Sequence, residues 1–428
     1  MKLAVVGGGS TYTPELVDGF ARLRETLPVA ELVLVDPAAD RLEPVGALAR
    51  RIFAKQGHPG HVTTTSDVDV GVADADAVLL QLRVGGQAAR QRDETWPLEC
   101  GCVGQETTGA GGLAKALRTV PVVLDIAERV RRANPDAWII DFTNPVGIVT
   151  RALLEAGHKA VGLCNVAIAL QRRFAALLDV PPSELHLEHY GLNHLTWELG
   201  VRRGGPDGPD VLPGLLAEHG GRIASDLRLP PSLLRRLGTV PSYYLRYFYA
   251  HDEVVEELRG KPSRAAEVAA LERELLERYR DPALDTKPAL LEQRGGAFYS
   301  EAAVALAASL LGGAADGAPA AEGDIQVVNT RNNGTLPFLP DDSVVEVPAR
   351  VTPTGAAPLP APAFDPLYAG LVAHVTAYER LALEAALHGG RERVLRALLG
   401  HPLIGQYARA EQLTDRLLAH NREHLAWL

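Results

Sequence analysis

The distribution of apolar and polar residues changes before the middle of the chain. Up to residue 165, five short runs are apolar on both faces, at residues 2–7, 31–36, 77–82, 137–142 and 160–165. Segments with helical spacing, such as 14–25 and 40–56, separate these runs. Strands buried on both faces that alternate with helices are typical of a parallel sheet with helices on each side. The pattern predicts a doubly wound, Rossmann-type domain over residues 1–165.

From residue 166 onward the pattern is mixed. Residues 186–201 alternate like an antiparallel strand pair or one bent strand, and "DIQVVNT" and "SVVEVPARV" are also strand-like. Helices are predicted at 243–258 and 264–279, and one long amphipathic helix over 366–427. Glycine- and proline-rich loops are predicted near residues 202–214, 312–323 and 352–366. The predicted fold class is α/β: the Rossmann-type domain plus a mixed α/β domain over 166–428, as in lactate and malate dehydrogenases.

Composition narrows the class of protein. The chain has 428 residues, enough for two domains, and 46% of them are hydrophobic. Its net charge of −10 and the lack of a basic stretch argue against a nucleic-acid partner. We expect no signal peptide, because the first apolar run is short and ends in glycine, and no membrane span, because no apolar stretch is long enough. Three cysteines are too few for a disulfide framework, so we expect reduced thiols and a cytoplasmic location.

A glycine loop, "VVGGGSTYT", follows the first predicted strand and opens a helix. Gly7 and Gly9 supply the first two glycines of a dinucleotide fingerprint, where the backbone approaches a pyrophosphate at a helix N-terminus. Ser10 and Thr11 can add hydroxyl donors, but tyrosine replaces the third glycine, so a tight turn without ligand stays an alternative. Asp36 ends the second strand, where a carboxylate binds a ribose diol, and this favours NAD over NADP.

A thiol and an imidazole stand where a metal could bind. Cys164 ends a predicted parallel strand, at the sheet edge where ligands bind, and His194 begins a strand of the second domain. Such a pair can hold a divalent ion and leave positions open for substrate oxygens. By spacing alone, two core residues are the more common arrangement. His186 and His189 are also available, but we expect them on a solvated strand face.

Seven motifs occur in an order that resembles a known family. They are "GGGSTYTPELV", "RVGGQAARQRDE", "GQETTGAGG", "DFTNPVGIVT", "GLCNV", "GLNHL" and "NNGTLPFLPDDSVVEVP". Together they resemble glycoside hydrolase family 4, the NAD- and metal-dependent glycosidases, and especially its 6-phospho-β-glucosidases. The resemblance runs from residue 1 to about residue 350. It implies NAD and a divalent metal, usually Mn²⁺, as cofactors.

The resemblance also implies a reaction that differs from the two-carboxylate glycosidases. The sugar is oxidised at C3 by NAD⁺, a base removes the C2 proton, and the aglycone leaves from C1. Water then adds and the hydride returns to C3. The metal would hold the C2 and C3 oxygens. The implied substrates are phosphorylated disaccharides, such as cellobiose 6-phosphate, or aryl 6-phospho-β-glucosides.

Site residues follow from the matching motifs. Cys164 and His194 match the family's metal ligands, and Asn144 in "FTNP" matches a contact to a substrate hydroxyl. Glu106 in "GQETTG" is expected near the sugar and cofactor, and the loop at 332–340 close to one of them.

The base in the family is a tyrosine from a tyrosine-rich helix start. Residues 241–249 offer Tyr243, Tyr244, Tyr247 and Tyr249, and Tyr244 aligns best, although the choice among them stays open.

Phosphate recognition and linkage depend on further residues. Arg90 matches the family's phosphate arginine, and Arg294 is a second candidate, because a guanidinium can pair two oxygens. Members that cleave α-linked substrates tend to carry Asp where this chain has Asn165, which can form hydrogen bonds but cannot act as an acid. Asn165 therefore favours a β-linkage. Ala167 and Ala169 replace a common Pro and Gly, and we expect a narrower phosphate pocket.

Other functions stay open at this point. A family 4 enzyme could act on another or an unphosphorylated glycoside. A lactate- or malate-type NAD dehydrogenase would need a His/Asp pair and a carboxylate-binding arginine, which the second domain does not suggest. A catalytically inactive NAD-binding sensor is a third alternative, against which Cys164, His194 and Tyr244 argue. Family members are commonly homodimers or homotetramers, and the second domain is expected to carry the substrate, metal and oligomer contacts.

Overall fold

The computed structural model describes residues 1–296, 298–312 and 323–428. Its strands are β1 (Lys2–Val6), β2 (Glu31–Val35), β3 (His61–Thr65), β4 (Ala77–Leu80), β5 (Trp138–Asp141), β6 (Ala160–Gly162), β7 (Leu185–Leu192), β8 (Leu195–Arg203), β9 (Val240–Pro241), β10 (Asp324–Arg331), β11 (Val344–Thr352) and β12 (Gly355–Pro358). The predicted loop at 312–323 lies almost wholly outside the described residues.

Helices cover both faces of the sheet. They are α1 (Thr13–Arg22), α2 (Ala39–Lys55), α3 (Val68–Val72), α4 (Gly86–Glu99), α5 (Gly109–Ala133), α6 (Val146–Glu155), α7 (Val166–Leu178), α8 (Leu212–Leu227), α9 (Pro231–Leu237), α10 (Arg246–Tyr249), α11 (His251–Arg259), α12 (Arg264–Tyr279), α13 (Tyr299–Leu311), α14 (Pro366–His388), α15 (Arg391–Leu399) and α16 (Tyr407–Asn421). Short 3₁₀ turns precede β7 and α10. None of the helices in the described part of the chain is both long and apolar enough to cross a bilayer.

The strands form one mixed sheet in the order β3-β2-β1-β4-β5-β6-β10-β11-β7-β8-β9, with β12 on β11. The first six strands are parallel, as predicted. Successive β1 residues face opposite cores, since Leu3 and Val5 pack in one apolar cluster and Ala4 and Val6 in the other. An antiparallel pairing of β6 with β10, at Gly162 and Asn329, joins the parallel part to the rest. The sheet therefore brings the ends of β5 and β6 close to the β7–β8 turn.

Three sequence predictions differ from the structure. The helix expected over 366–427 is three helices, because Gly389 and Gly390 adopt positive φ and end α14, and a loop with Pro402 separates α15 from α16. The loop expected at 352–366 contains β12, which pairs with β11. Strand β3 was not anticipated, because its sequence "HVTTT" is largely polar and lies at the sheet edge. Residues 186–201 form the predicted antiparallel pair.

Candidate active site

A cleft of about 560 Å³ opens at the carboxyl ends of the parallel strands. Loops that follow β1, β2, β4, β5 and β6 meet there with the β7–β8 turn and the start of the tyrosine-rich segment, because parallel strands direct their carboxyl ends to one edge. Its lining includes most of the predicted site residues, namely Gly7, Ser10, Asp36, Arg90, Glu106, Asn144, Asn165, His194, Tyr244 and Arg294. Gly9 and Thr11 do not line the cleft, and Cys164 borders a separate groove next to Leu163 and Ala167.

The glycine loop is tight enough to exclude side chains. Gly7 has φ 88°, and a Cβ there would lie 2.6 Å from the Gln81 carbonyl oxygen. A Cβ at Gly9 would lie 2.9 Å from Asp36 Oδ2, which accepts a 3.0 Å hydrogen bond from the Gly9 N–H. The loop leads directly into α1, whose N-terminus has no side-chain cap. This arrangement fits a dinucleotide pyrophosphate and ribose.

Two residues of this loop have roles that the sequence did not indicate. Tyr12, in place of the third glycine, donates to the Gly296 carbonyl and lies under the Arg294 guanidinium, 5.6 Å from ring centroid to Cζ. It thus ties the loop to the segment that carries Arg294. Thr11 is fully buried and its hydroxyl donates to Glu272 at 3.3 Å. Its placement supports the loop from behind and does not support the predicted contact to a cofactor.

Glu106 is the centre of a cationic cluster in the cleft. Lys115 Nζ lies 2.7 Å from Glu106 Oε2, Arg90 Nε lies 3.1 Å from Oε1, and Arg83 also pairs with this carboxylate. Burial opposes ionisation, but Arg83, Lys115 and Arg90 hold the pKa of Glu106 well below its usual value. Burial lowers the pKa of Lys115 to about 8, against the attraction of Glu106. We call these four residues the Glu106 cluster.

A second carboxylate, Glu272 of α12, organises the opposite wall. Arg294 Nη2 lies 3.1 Å from Glu272 Oε1, Arg41 Nη2 lies 3.1 Å from Oε2, and Gln87 donates to Oε1 at 3.0 Å. Arg294 also lies 3.5 Å from Ser10 Oγ. These pairs hold the predicted Arg294 beside the glycine loop.

Sequence reasoning missed Arg83, Lys115, Arg41 and Glu272. One signal was available for Lys115: it stands in the Gly- and Ala-rich first half of α5, where a charged side chain is buried only if it is paired. The other contacts join residues far apart in the chain, and nothing in their local sequence indicates them.

His194 and Tyr244 meet on the other side of the cleft, and Cys164 follows β6 close to them. The imidazole of His194 stacks on the ring of Tyr244, with centroids 3.6 Å apart. Burial lowers the pKa of His194 to about 4, so the ring is neutral near pH 7. Burial, and next the nearby Cys164, raise the pKa of the Tyr244 phenol, while Arg90 lowers it. The Cys164 thiol hydrogen-bonds the side chain of Asn193, the residue next to His194, which is compatible with one ion bound by Cys164 and His194.

A buried charge network supports this pair. Glu346 Oε2 accepts hydrogen bonds from Asn193 at 2.8 Å and Asn329 at 2.9 Å, and Glu346 Oε1 lies 3.0 Å from His189 Nε2. His189 also contacts Glu198, 2.5 Å away, on the neighbouring strand. Burial alone would lower the pKa of His189, but Glu198 and Glu346 raise it to about 10.

The expectation that His189 lies on a solvated strand face is wrong, because its side chain is fully buried. The alternation of side chains along β7 could have indicated this burial, because His189 shares one strand face with the apolar Leu185 and Leu187. His186, on the other face, is half-buried.

Two further predictions are modified by the structure. Asn332 organises the loop at 332–340 internally, donating to carbonyls of Leu336, Leu339 and Pro340, and this loop does not line the cleft. Ala167 borders a separate groove of about 280 Å³, and Ala169 lies within α7. Neither alanine lines the cleft, so the expected narrowing of a phosphate pocket is not observed there.

The residues present fit a metal with open coordination positions. No group of three or more His, Cys, Asp or Glu side chains in the described residues could hold an ion by itself. Cys164 and His194 supply two donors, and Asn144 Oδ1 is buried with no hydrogen-bond partner in the described residues. A thiolate and an imidazole with vacant positions suit a divalent ion that also binds substrate oxygens.

Comparison with known proteins covers nearly the whole chain. Residues 2–180 match the family 4 glycosyl hydrolases, and residues 189–404 match the C-terminal domain of the same family. The chain belongs to glycoside hydrolase family 4. It is 40% identical to the probable 6-phospho-β-glucosidase of Bacillus subtilis, over 99% of this chain and 97% of that protein. It is 37% identical to the 6-phospho-β-glucosidase of Escherichia coli, over 99% and 96% respectively.

Solved structures agree with this assignment to family 4. The 6-phospho-β-glucosidase from Thermotoga maritima, solved with manganese, NAD⁺ and glucose 6-phosphate, gives a TM-score of 0.88 at 33% identity over 99% of both chains. A malate dehydrogenase from Salinibacter ruber gives a TM-score of 0.54 at 17% identity over 92% of this chain and 99% of that one. The second match shows the fold alone, and it confirms the predicted dehydrogenase-like architecture. The chain is thus a glycoside hydrolase on a dehydrogenase-like fold.

Proposed function

We propose that this family 4 enzyme hydrolyses 6-phospho-β-glucosides, such as cellobiose 6-phosphate or aryl 6-phospho-β-glucosides. The observation that carries the proposal is the charge of the cleft. Arg41, Arg83, Arg90, Lys115 and Arg294 line it against only Asp36, Glu106 and Glu272. A cationic excess in a chain of net charge −10 indicates a site for anions, here a dinucleotide pyrophosphate and a sugar phosphate. The relatives named as 6-phospho-β-glucosidases support the same substrate class.

The glycine loop and Asp36 would bind NAD. The loop that leads into α1 lines the cleft with Gly7, Ser10 and Tyr12, and it would bind the pyrophosphate there. Asp36 would accept from the ribose diol, and its negative charge would repel a 2′-phosphate. Bound NAD⁺ supplies reversible hydride transfer at C3 of the sugar. Ser10 would donate to the pyrophosphate, and Arg294, 3.5 Å from the Ser10 hydroxyl, would bind the sugar phosphate beside it.

Cys164 and His194 would hold the divalent metal, Mn²⁺ in the proposal. When bound, the metal polarises the C2 and C3 oxygens and makes the C2 proton more acidic. Tyr244 would remove that proton, since it lines the cleft with its ring against the His194 imidazole, and the charge of Arg90 lowers the pKa of its phenol against the effect of burial. Asn144 and Asn165, at the ends of neighbouring strands, would orient the sugar hydroxyls.

Linkage specificity follows from Asn165 in the proposal. This residue lines the cleft at the N-terminus of α7, in the position where an aspartate could protonate an α-linked leaving group. An amide cannot supply that proton. We therefore propose β-linked substrates, with the aglycone protonated by water.

The decisive assay compares three chromogenic substrates with NAD⁺, Mn²⁺ and thiol present: 4-nitrophenyl 6-phospho-β-glucoside, its α-anomer and the unphosphorylated β-glucoside. We expect turnover on the first only, with no accumulation of NADH. Deuterium at C2 should slow the reaction if cleavage of that bond limits the rate. No turnover on the phosphorylated β-substrate would refute the proposal. Equal turnover on the unphosphorylated β-glucoside would show that the enzyme cleaves β-glucosides without requiring the phosphate.

A matched pair of variants tests phosphate recognition. Arg294→Gln should raise the KM of the phosphorylated substrate at least tenfold, because a desolvated guanidinium–phosphate pair is lost. Arg280→Gln removes an arginine that pairs with Glu277 at the surface and should leave KM unchanged. An equal KM for both variants would remove Arg294 from the substrate site.

The domain division, the oligomeric state and the cellular location are also proposals. Division into an NAD-binding domain, 1–165, and a substrate, metal and oligomerisation domain, 166–428, stays a prediction, as does a homodimer or homotetramer. The cysteines, Cys100, Cys102 and Cys164, carry free thiols, which supports a reducing, cytoplasmic location.

A further inference from the structure

We propose that Gln105 and Thr107 fix the tautomer of His194, so that its Nε2 is the nitrogen presented to the metal. These two residues belong to the motif "GQETTG", whose carboxylate, Glu106, points into the cleft. The inference rests on the proposed metal site. It assigns a positioning role to two side chains that have no contact with the reacting atoms.

The direction of each hydrogen bond can be deduced from the donors. The backbone N–H of Thr107 donates to the Gln105 side chain, so the atom that receives it is the carbonyl oxygen Oε1. The same Oε1 lies 2.9 Å from Thr107 Oγ1. Because this oxygen only accepts, the Thr107 hydroxyl must donate its single proton to it.

The hydrogen bond between Thr107 and His194 then has only one possible direction. Thr107 Oγ1 lies 3.0 Å from His194 Nδ1. Since the hydroxyl proton is already used, Oγ1 is the acceptor and Nδ1 carries the N–H. A neutral imidazole with a proton on Nδ1 has its lone pair on Nε2, which is the form that binds a metal.

The backbone and the neighbouring ring hold His194 in the orientation that this relay requires. His194 lies in the two-residue turn between β7 and β8 with φ 64°, a conformation that a non-glycine residue rarely adopts. Its ring is fixed against Tyr244 at an interplanar angle of 9°. The turn and the stack set the position of the ring, and the Gln105–Thr107 relay sets which nitrogen carries the proton.

The test uses Thr107→Val, Thr107→Ser and the adjacent Thr108→Val as matched control. Thr108 precedes α5, and its side chain makes no capping hydrogen bond. The first readout is Mn²⁺ affinity, measured by electron paramagnetic resonance without substrate. Loss of an orienting partner of a metal-bound histidine typically weakens metal affinity 10–100-fold. We expect that loss in Thr107→Val, near wild-type affinity in Thr107→Ser, and no change in Thr108→Val.

The second readout is independent of metal and of activity. In metal-free protein labelled with ¹⁵N-histidine, the His194 signals, identified by their absence in His194→Gln, should show the proton on Nδ1. Thr107→Val should give a mixture of tautomers. Gln105→Met removes the terminal acceptor and should behave like Thr107→Val, which covers the case that one variant does not fold.

Two results would overturn the inference: a proton on Nε2 of wild-type His194, or wild-type Mn²⁺ affinity in a folded Thr107→Val. Failure of the proposed function looks different. In that case wild-type protein would bind no Mn²⁺ or cleave no phosphorylated substrate, while the tautomer readout would still show the effect of Thr107.

Discussion

The imidazole of His194 stacks on the phenol ring of Tyr244, with planes 9° apart and centroids 3.6 Å apart. One ring comes from the turn between two antiparallel strands, and the other from a 3₁₀ turn that Ser242 caps. The contact couples a proposed metal ligand directly to the proposed base. Because the contact is made by the ring faces, removing only the Tyr244 hydroxyl should leave the imidazole in place.

Tyr244→Phe keeps the stack and removes only the hydroxyl. We expect kcat on 4-nitrophenyl 6-phospho-β-glucoside to fall by about 10²–10⁴-fold, the usual contribution of a general base. Mn²⁺ affinity and thermal stability should stay close to those of wild type. Tyr247→Phe is the matched control, since Tyr247 is also buried and has its ring centroid 6.2 Å from that of Tyr244. A large loss of kcat in Tyr247→Phe together with an active Tyr244→Phe would assign the role of the base to Tyr247.

Cys164→Ser replaces the proposed thiolate ligand with a hydroxyl of similar size. We expect Mn²⁺ binding to weaken by more than tenfold and activity to fall with it, because a serine hydroxyl stays protonated and neutral near pH 7. Cys100→Ser changes a partly buried thiol that caps the C-terminus of α4 and does not line the cleft, and it should keep both properties. Titration with Mn²⁺ followed by activity assays measures the effect. Metal-dependent activity at the wild-type level in Cys164→Ser would exclude the thiol as a ligand.

Glu106→Gln removes the buried carboxylate that Lys115, Arg83 and Arg90 share. Breaking a buried ion pair typically costs about 3–5 kcal/mol, since the remaining charges stay unpaired. We expect a clear drop in melting temperature, and partial recovery in millimolar glucose 6-phosphate, because a bound phosphate would replace the missing negative charge.

The control for Glu106→Gln is Glu128→Gln. This variant breaks an exposed pair with Arg131 and should cost at most about 1 kcal/mol. Equal melting temperatures of the two variants would contradict the account of the Glu106 cluster.

Glu379 of α14 predicts a pH dependence of stability. Burial raises its pKa to about 7, with Arg151 opposing, and its Oε2 has no hydrogen-bond partner in the described residues. The folded chain therefore keeps this proton between about pH 4.5 and pH 7, while the unfolded chain releases it. This group's contribution to the free energy of unfolding falls as pH rises through that window, by roughly 3 kcal/mol in all.

Glu379→Gln removes this contribution. Relative to wild type, the variant should gain stability steadily from pH 4.5 to pH 7 and keep a constant advantage above it. Urea unfolding at several pH values measures the difference. Glu384→Gln, an exposed change on the same helix, should follow wild type throughout. A difference between Glu379→Gln and wild type that does not change with pH would show that Glu379 is ionised in the folded chain across this range.

The sequence by itself determined the parallel half of the sheet, the glycine loop and the members of the site that lie in local motifs. Apolar runs flanked by helices specify buried parallel strands, and residues that directly follow such strands meet at one edge. Asp36, Asn144 and Cys164 could be placed for this reason. The polar edge strand β3 carries no such pattern, and the sequence did not reveal it.

Only the tertiary structure decided the charge environment. Glu272 meets Gln87 across 185 residues and Arg41 across 231, and His189 meets Glu346 across 157. Local spacing constrains residues within one helix or strand pair, whereas these contacts depend on how the β10–β11 hairpin extends the sheet and how α12 packs on the parallel domain. The sequence names the groups that can do the chemistry. Their burial, ion pairs and protonation states come from neighbours that the fold alone brings together.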